Sequence, residues 1–383
     1  MSAIKELFRS HQNNVADLRQ AQEATASDLG KWLETGEINP RSLSLREMWD
    51  VFVTPQLEKK GINFDYRTSD FAEVREEMVS SMFPTATGKL IHPAVIDAYE
   101  VDTTEIRSLV SEVRSDRAEE EIVGFSDGDR PRHVEEGQPY PEAQMGEKKV
   151  KIRNQKFGVG MGLTVEMVRF DQTDELLNRA RQTGTMMGDL LEEFICHRLS
   201  DVGFAEIQEA AGDNAALVYN GTGVDMYAAS HTGVDGQANA NLGTGGAPTV
   251  TSVMEMNNLL MDMKTEKGRP ARIRPRVVFS HAQMADKLRQ FFGAQDFDIA
   301  SPNRDVNIYK GAFRIVTSQF MPSTTAWFLG DPARQFRLQW VWEPQTSDAG
   351  GDPKRDVLTS FYTSMFCGVG ATDYRYVAKN AGA

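Results

Sequence analysis

The feature that most constrains this chain is the stretch from Glu119 to Val202, in which three unlike segments follow one another. The first is a polar excursion, 124–146, between two short segments typical of strands, 121–125 and 149–153. A loop of more than 20 residues without an apolar face of its own is uncommon inside a compact domain and is usually functional. We therefore interpret the excursion as the tip of an extended hairpin that contacts another molecule.

The second segment is a strand in which large apolar residues alternate with glycines. Phe157, Val159, Met161 and Leu163 occupy one face, and the other face carries only Gly158, Gly160 and Gly162. Glycine weakens a strand because it has no side chain to pack, so three glycines on one face predict that another backbone or a helix approaches closely there.

The third segment is a long amphipathic helix. Asp171–Asp174 supplies an N-cap signal and acidic residues for the first turn. Apolar residues then recur at helical spacing from Leu176 to Val202. At 1.5 Å per residue this helix is about 40 Å long, which suits the spine of a scaffold.

These parts resemble, in order and spacing, the central region of tailed-bacteriophage major capsid proteins of the Hong Kong 97 type. The residues that carry the resemblance are 136–142 (EGQPYPE), 156–158 (KFG), 163–167 (LTVEM), the long helix, 307–311 (NIYKG) and the tryptophan-rich strand near Trp340. No single motif is diagnostic, and the resemblance covers Phe83 to Val377.

The resemblance implies an α+β fold with an N-terminal arm, an extended β-hairpin loop, a peripheral domain with a spine helix, and an axial α/β domain. The corresponding assignment is 1–82 for the arm, 83–119 for the start of the peripheral domain, 120–160 for the extended loop, 161–210 for the peripheral domain with the spine helix, 211–345 for the axial domain, and 346–383 for the peripheral-domain strands and C-terminus.

Outside the central stretch, residues 1–82 are expected to be mostly helical and solvated, and 83–93 to be a turn-rich entry into the folded body. The resemblance implies that 1–82 is either an arm that crosses onto neighbouring subunits or an assembly segment that is cleaved away, and we favour the retained arm. The segment 210–249 is rich in glycine, asparagine and alanine and predicts surface loops. Strand patterns dominate from Phe313 onward, and the tail 373–379 is expected to close a sheet beside the spine helix.

Composition limits the classes of function. The formal net charge is −13, which argues against a general nucleic-acid-binding surface and fits a container whose inner wall does not hold the genome. Cys196 and Cys367 are far apart and lack metal-ligand spacing, so we expect buried free thiols. No apolar run is long enough to span a membrane, and no secretory signal is present, which favours a cytoplasm-like compartment.

The sequence offers little catalytic chemistry. His231, in a glycine-rich loop between two aspartates, is interpreted as one of several solvated loop polars rather than a metal ligand. Ser280 and His281 are adjacent on a strand and point to opposite faces, so a helix cap explains them better than a nucleophile and base. We predict no catalytic, metal or cofactor-binding residues and no cofactor.

The predicted functional residues are instead contacts between subunits on the extended loop. The acidic run 119–121 and the pair Glu135 and Glu136 are expected to meet basic groups of a neighbour. In some family members a loop lysine forms an isopeptide bond with an asparagine of a neighbouring subunit, and Lys148, Lys149 and Lys151 lie in that region. No asparagine is singled out as the acceptor, so we interpret these lysines as solvated loop residues or salt-bridge partners at an interface. The predicted contact residues are Arg130, Arg132, Glu135, Glu136, Tyr140, Lys148 and Lys149.

We thus predict a major capsid (head) protein without enzymatic activity that self-assembles into hexamers and pentamers of an icosahedral shell around phage double-stranded DNA. Its expected partners are other copies of itself, scaffold and portal proteins, and DNA enclosed without sequence-specific binding; no membrane is expected. Its expected location is the virion, after assembly in the host bacterial cytoplasm. The alternatives are an encapsulin-like bacterial compartment shell protein and, as a different class, a soluble α/β enzyme.

Overall fold

Helices and strands are mixed along the described parts of the chain, so the predicted α+β class is confirmed. The computed structural model describes residues 3–14, 17–64, 69, 74, 78, 81–102, 104–125, 133–134, 147–207, 225–232, 238–265, 267–293, 309–352 and 356–382. None of the helices in these ranges combines the length and apolar composition that crossing a bilayer requires.

The helices are α1 (Ala3–Asn14), α2 (Leu18–Glu34), α3 (Leu45–Phe52), α4 (Thr54–Lys59), α5 (Phe83–Asp102), α6 (Thr104–Arg107), α7 (Val165–Arg169), α8 (Thr173–Ser200), α9 (Val250–Met261), α10 (Ala285–Gly293) and α11 (Pro332–Gln335). The strands are β1 (Ser111–Arg114), β2 (Glu119–Phe125), β3 (Glu147–Arg153), β4 (Gln155–Thr164), β5 (His231–Thr232), β6 (Ala238–Asn239), β7 (Leu242–Gly243), β8 (Val277–His281), β9 (Arg314–Ser318), β10 (Trp327–Gly330), β11 (Phe336–Asp352), β12 (Val357–Ala371) and β13 (Val377–Asn380).

The chain forms two compact units, each built from three separate segments. The first unit contains Met1–Asp102, Lys156–Asp189 and Trp342–Phe366. The second unit contains Thr103–Gln155, Leu190–Val341 and Cys367–Ala383. The domain boundaries drawn from the sequence stay a prediction.

The N-terminal helices form much of the core of the first unit. Ile4, Leu29 and Trp49 are fully buried there, together with Ile91 of α5 and Phe361 of β12. The expectation of helices in this region is confirmed, but the expectation that they are solvated is wrong. The reason is that their apolar stripes pack on one another and on α5, which removes them from water.

Helix α5 runs through the segment for which the sequence predicted turns, 83–93, and that prediction is wrong. Pro93 lies inside the helix, where proline removes one backbone hydrogen bond. Burial of Leu90, Ile91 and Val95 offsets this loss. The helix lies so close to α8 that a Cβ on Gly184 would meet the carbonyl oxygen of Val95.

Strand β4 has the close neighbour that its glycines predicted. The neighbour is β12, which lies beside β4 and contributes Tyr362 and Ser364 over the glycine face. A Cβ on Gly160 would lie 2.8 Å from Cε1 of Tyr362, and one on Gly158 would lie 3.3 Å from the carbonyl oxygen of Thr363. Glycine therefore makes room for an aromatic ring on the adjacent strand, a known way of stabilising such a position.

The second unit contains a five-stranded sheet in the order β7-β13-β10-β8-β9. Strand β13 comes from the C-terminal tail, and Nζ of Lys379 in this strand donates a hydrogen bond to the carbonyl of Ser200 at the end of α8, at 3.1 Å. The predicted placement of the tail in a sheet beside the long helix is thus confirmed. In the part of 210–249 that the structure describes, the chain forms loops and the two-residue strands β5, β6 and β7.

Candidate subunit interface

The strands β2 and β3 form a separate antiparallel hairpin. Their register runs from Glu119 opposite Arg153 to Phe125 opposite Glu147. Within the described part of the chain these two strands pair only with each other. The strands predicted on both sides of the polar excursion are therefore confirmed. The two faces of this hairpin differ in composition and burial.

One face of the hairpin is charged and exposed. Nζ of Lys151 lies 3.2 Å from Glu121 and 3.5 Å from Glu119, while Nε of Arg153 lies 4.0 Å from Glu119. The basic pair on β3 alternates with Val150 and Ile152 because successive residues of a strand point to opposite faces, whereas on β2 Glu120 lies between the two acidic residues. The acidic residues at 119 and 121 thus have basic partners in their own hairpin, and the expectation that they also meet a neighbour's basic groups stays a prediction.

The ion pairs affect the titration of Lys151 more than the stability of the hairpin. A hydrogen bond to the Glu121 carboxylate, followed by the charge of Glu119, raises the pKa of Lys151 above its ordinary value. Because all three side chains are solvent-exposed, each pair contributes little to the free energy of folding. They are compatible with the observed register, in which Glu119 lies opposite Arg153 and Glu121 opposite Lys151.

The opposite face anchors the base of the hairpin. Ile152 is 1% exposed, and a Cβ added to Gly370 of β12 would lie 2.7 Å from its Cγ1. The next residue but one, Asn154, donates from its backbone N to the carbonyl of Ala118 at 2.8 Å and from Nδ2 to the carbonyl of Arg117 at 2.6 Å. The base of the hairpin is therefore held in place by the buried side chain of Ile152. Any side chain at position 370 would clash with this isoleucine, so glycine is required there.

The predicted contact residues fall mostly beyond these anchored strands. Lys148 and Lys149 lie on β3, opposite Gly124 and Val123. The remaining predicted contacts lie outside the described residues: Arg130, Arg132, Glu135, Glu136 and Tyr140. Their role as subunit contacts stays a prediction. The sequence reasoning did not identify Ile152 and Gly370 as the anchor, although the alternation of Val150 and Ile152 with basic residues was a usable signal.

His231 is not a solvated loop residue, and that prediction is wrong. The side chain is 5% exposed, stacks on Tyr374 with ring centroids 4.0 Å apart, and places Nε2 3.1 Å from Oδ1 of Asn241. Burial lowers the pKa of His231 below its ordinary value of 6.5. Asn241 itself is fully buried and donates from Nδ2 to the carbonyls of Met226 and Tyr374. This network holds neighbouring loops together.

The other candidate chemical groups also have structural roles. Nδ1 of His281 accepts a hydrogen bond from the backbone N of Gln283 at 3.0 Å, which confirms the predicted helix cap. Cys196 and Cys367 are free and buried, as predicted, and burial raises the pKa of each thiol to about 12. Within the described ranges, no three or more histidine, cysteine, aspartate or glutamate side chains are grouped so that they could hold a metal ion.

Comparison with known proteins gives one family. A family model described as phage capsid protein matches residues 147–380. No curated protein matches the chain.

The chain is similar to solved structures from several particles. A chain of Mycobacterium phage Cain is 10% identical, with 73% of this chain and 90% of that chain covered and a TM-score of 0.46. A capsid chain of a native GTA particle is 14% identical; the match covers 73% of this chain and 89% of that chain, with a TM-score of 0.44. A chain of a virus-like particle from Pyrococcus furiosus is 10% identical; the match covers 77% of this chain and 99% of that chain, with a TM-score of 0.44.

Proposed function

Because the chain belongs to the phage capsid protein family, whose model matches more than half of its length, we propose that it is the major capsid protein of a tailed phage. In this proposal, copies of the chain form hexamers and pentamers that close into an icosahedral shell around double-stranded DNA. Scaffold and portal proteins are its proposed partners, and the virion is its proposed location.

The observation that best supports assembly through a loop is the anchored hairpin of β2 and β3. Seven residue pairs at about 3.4 Å per residue give a ladder about 20 Å long. The fixed base at Ile152 means that a contact made by the hairpin is transmitted to the body of the second unit instead of being lost in a loose tether. A hairpin of this kind is suited to lie on a neighbouring copy.

Residues 1–82 are less suited to act as an arm that reaches a neighbouring copy. Helices α1 to α4 place their apolar residues, among them Ile4 and Trp49, in the core of their own first unit. Moving these helices onto a neighbour would expose that core to water. We therefore assign the reaching function to the hairpin and leave to 1–82 only contacts made by the exposed faces of its helices.

Shell stability in this proposal comes from repetition. A single exposed hairpin contact is weak, but each copy in a closed symmetric shell both gives and receives such a contact, so the contacts act together. The net charge of −13 suits an enclosed genome, because a surface poor in uncompensated Lys and Arg does not bind phosphates tightly. This leaves the DNA free to be packed and released.

The test is to replace residues 128–146 by a short Gly-Ser linker that preserves β2 and β3. Sedimentation velocity and negative-stain microscopy would follow assembly, alone and with a co-expressed scaffold protein. We expect shells or capsomers from the unaltered chain and their loss in the shortened variant. A matched variant with a Gly-Ser segment of the original length separates loss of reach from loss of specific contacts.

Two outcomes would count against the proposal. Assembly of the shortened variant at the concentration that the unaltered chain needs would show that the hairpin is not the assembly device. An unaltered chain that stays monomeric with every scaffold tested would contradict the capsid function itself. Circular dichroism of each variant establishes that loss of assembly is not loss of folding.

A further inference from the structure

The second unit carries a surface segment with almost no charge. From Gly236 to Met261 the only charged residue among 26 is Glu255, whereas the chain average of 25% would place about six there. The exposed residues of this segment that matter below are Ala247, Thr251, Met254, Asn258 and Met261, which we call the neutral surface. All of them belong to the second unit.

Helix α9 presents a continuous stripe of this surface. Thr251, Met254, Asn258 and Met261 follow at intervals of three and four residues, which places them on one side of a helix. Met254 is 46% exposed and Met261 is 55% exposed. A surface helix ordinarily turns charged residues outward, so an outer face of two methionines, a threonine and an asparagine is a departure that calls for an explanation.

The one charge on α9 is hydrogen-bonded to the loop before the helix. The Glu255 carboxylate accepts hydrogen bonds from the backbone N of Thr244 at 3.0 Å and from Oγ1 of the same residue at 2.9 Å. This carboxylate therefore clamps the preceding loop to the helix, and its hydrogen-bonding capacity toward a partner is reduced.

Hydrogen bonds hold the N-terminal end of the neutral surface in place. The helix begins with a capping box, in which Thr249 and Ser252 bond to each other's backbone N. The loop before it is fixed by Nε1 of Trp327, which donates to the carbonyl of Gly246 at 3.1 Å, and by the backbone N of Gly246, which donates to the carbonyl of Gly382 at 3.0 Å. A surface held in this way loses little conformational entropy when it binds.

We propose that the neutral surface is a contact for a second copy of this chain, in addition to the hairpin contact. This inference rests on the proposed self-assembly. The argument for a second copy is electrostatic: two copies that each carry −13 repel one another, and they approach at least cost where neither presents charge. Loss of charge and enrichment in methionine are also what the centres of protein interfaces show.

Other occupants fit this surface less well. A nucleic acid needs Lys or Arg to neutralise its phosphates, and the segment Gly236–Met261 contains neither. A basic protein partner would be drawn to an acidic face rather than to an uncharged one. The same reasoning predicts that a single added carboxylate here is harmful, because the partner copy is acidic and the contact would bury an unpaired charge.

The experiment compares Met261→Glu with Met186→Glu. Met186 on α8 is 52% exposed, close to the 55% of Met261, and it lies in the first unit, so the two variants add the same charge at matched exposure. Sedimentation velocity at a series of concentrations gives the concentration needed for assembly. We expect that concentration to rise about tenfold or more for Met261→Glu and to stay within about twofold for Met186→Glu.

A second measurement keeps the inference testable if a variant misfolds. Met254→Cys should react with a maleimide more slowly in assembled particles than in unassembled protein, because the contact covers this position, while Cys196 and Cys367 are buried and do not react. If the unaltered chain assembles but Met261→Glu assembles equally well, or Met254→Cys reacts equally fast in particles and in unassembled protein, the inference is overturned and the proposed function stands. If the unaltered chain never assembles, both fail.

Discussion

Replacing Gly184 of α8 by alanine should destabilise the first unit, whereas the same change at Gly88 of α5 should stabilise it. Both glycines lie inside helices, where alanine is favoured over glycine by about 1 kcal/mol. Intrinsic helix propensity therefore predicts the same gain at both positions. Any difference must come from the space around the added methyl group.

That space differs sharply between the two positions. A Cβ at Gly184 would overlap the backbone carbonyl oxygen of Val95 and lie 2.9 Å from Cβ of Ala98. A backbone atom cannot rotate away, so the two helices must separate, and the cost lies in the upper part of the usual range for overpacking, about 2–3 kcal/mol. A Cβ at Gly88 would lie 3.6 Å from Cε1 of Phe361, which is an ordinary contact.

Combining these effects, Gly184→Ala should lower the free energy of unfolding by about 1–2 kcal/mol, and Gly88→Ala should raise it by about 0.5–1 kcal/mol. Urea unfolding, followed by circular dichroism and tryptophan fluorescence on unassembled protein, measures both. The reasoning is refuted if Gly184→Ala is as stable as the unaltered chain, because the close approach of α5 and α8 would then have no energetic consequence.

Three further predictions concern the second unit, each measured by the urea midpoint. Gly370→Ala and Ile152→Ala should each destabilise the hairpin base, but the double variant should lose less than the sum, since removing the isoleucine side chain relieves the clash; strict additivity would contradict this. Asn241→Ala should lower stability by about 3–5 kcal/mol, because several buried groups lose their partner; a loss below about 1 kcal/mol would show that the network is dispensable. Because the folded pKa of His231 is depressed, the unfolded chain binds the proton more tightly, and stability falls as pH drops through 6.5 toward the folded pKa. His231→Gln should remove this dependence, so an equal difference between the two proteins at pH 7.5 and pH 5 would refute it.

The elements that sequence reasoning predicted well are those defined by local periodicity. The long helix was expected from 171 to 202 and is observed as Thr173–Ser200. The paired strands around the polar excursion and the tryptophan-rich strand were also found, because alternation over five or more residues is a strong signal within the segment itself. The same local signals gave the helix cap at His281.

The errors arose where distant residues decide the outcome. Gly88 and Pro93 indicated a turn, but burial of Leu90 and Ile91 against the N-terminal helices stabilises a helix there. His231 was placed in water because its neighbours in sequence are polar, whereas Tyr374, far along the chain, covers its ring. Both contacts join residues that are far apart in the sequence, so a local sequence pattern cannot reveal them. The hairpin tip, where most predicted contact residues lie, falls outside the described residues.

The division of each unit into three segments has a consequence for the order in which the chain folds. Neither unit is complete until residues beyond 341 have been added, because Trp342–Phe366 closes the first unit and Cys367–Ala383 closes the second. Ile4 and Trp49 share a core with Phe361, so the earliest helices synthesised must wait for one of the last strands. Contacts of such long sequence separation slow folding. The chain therefore reaches its native form late in synthesis, and truncation at residue 341 would deprive both units of part of their core.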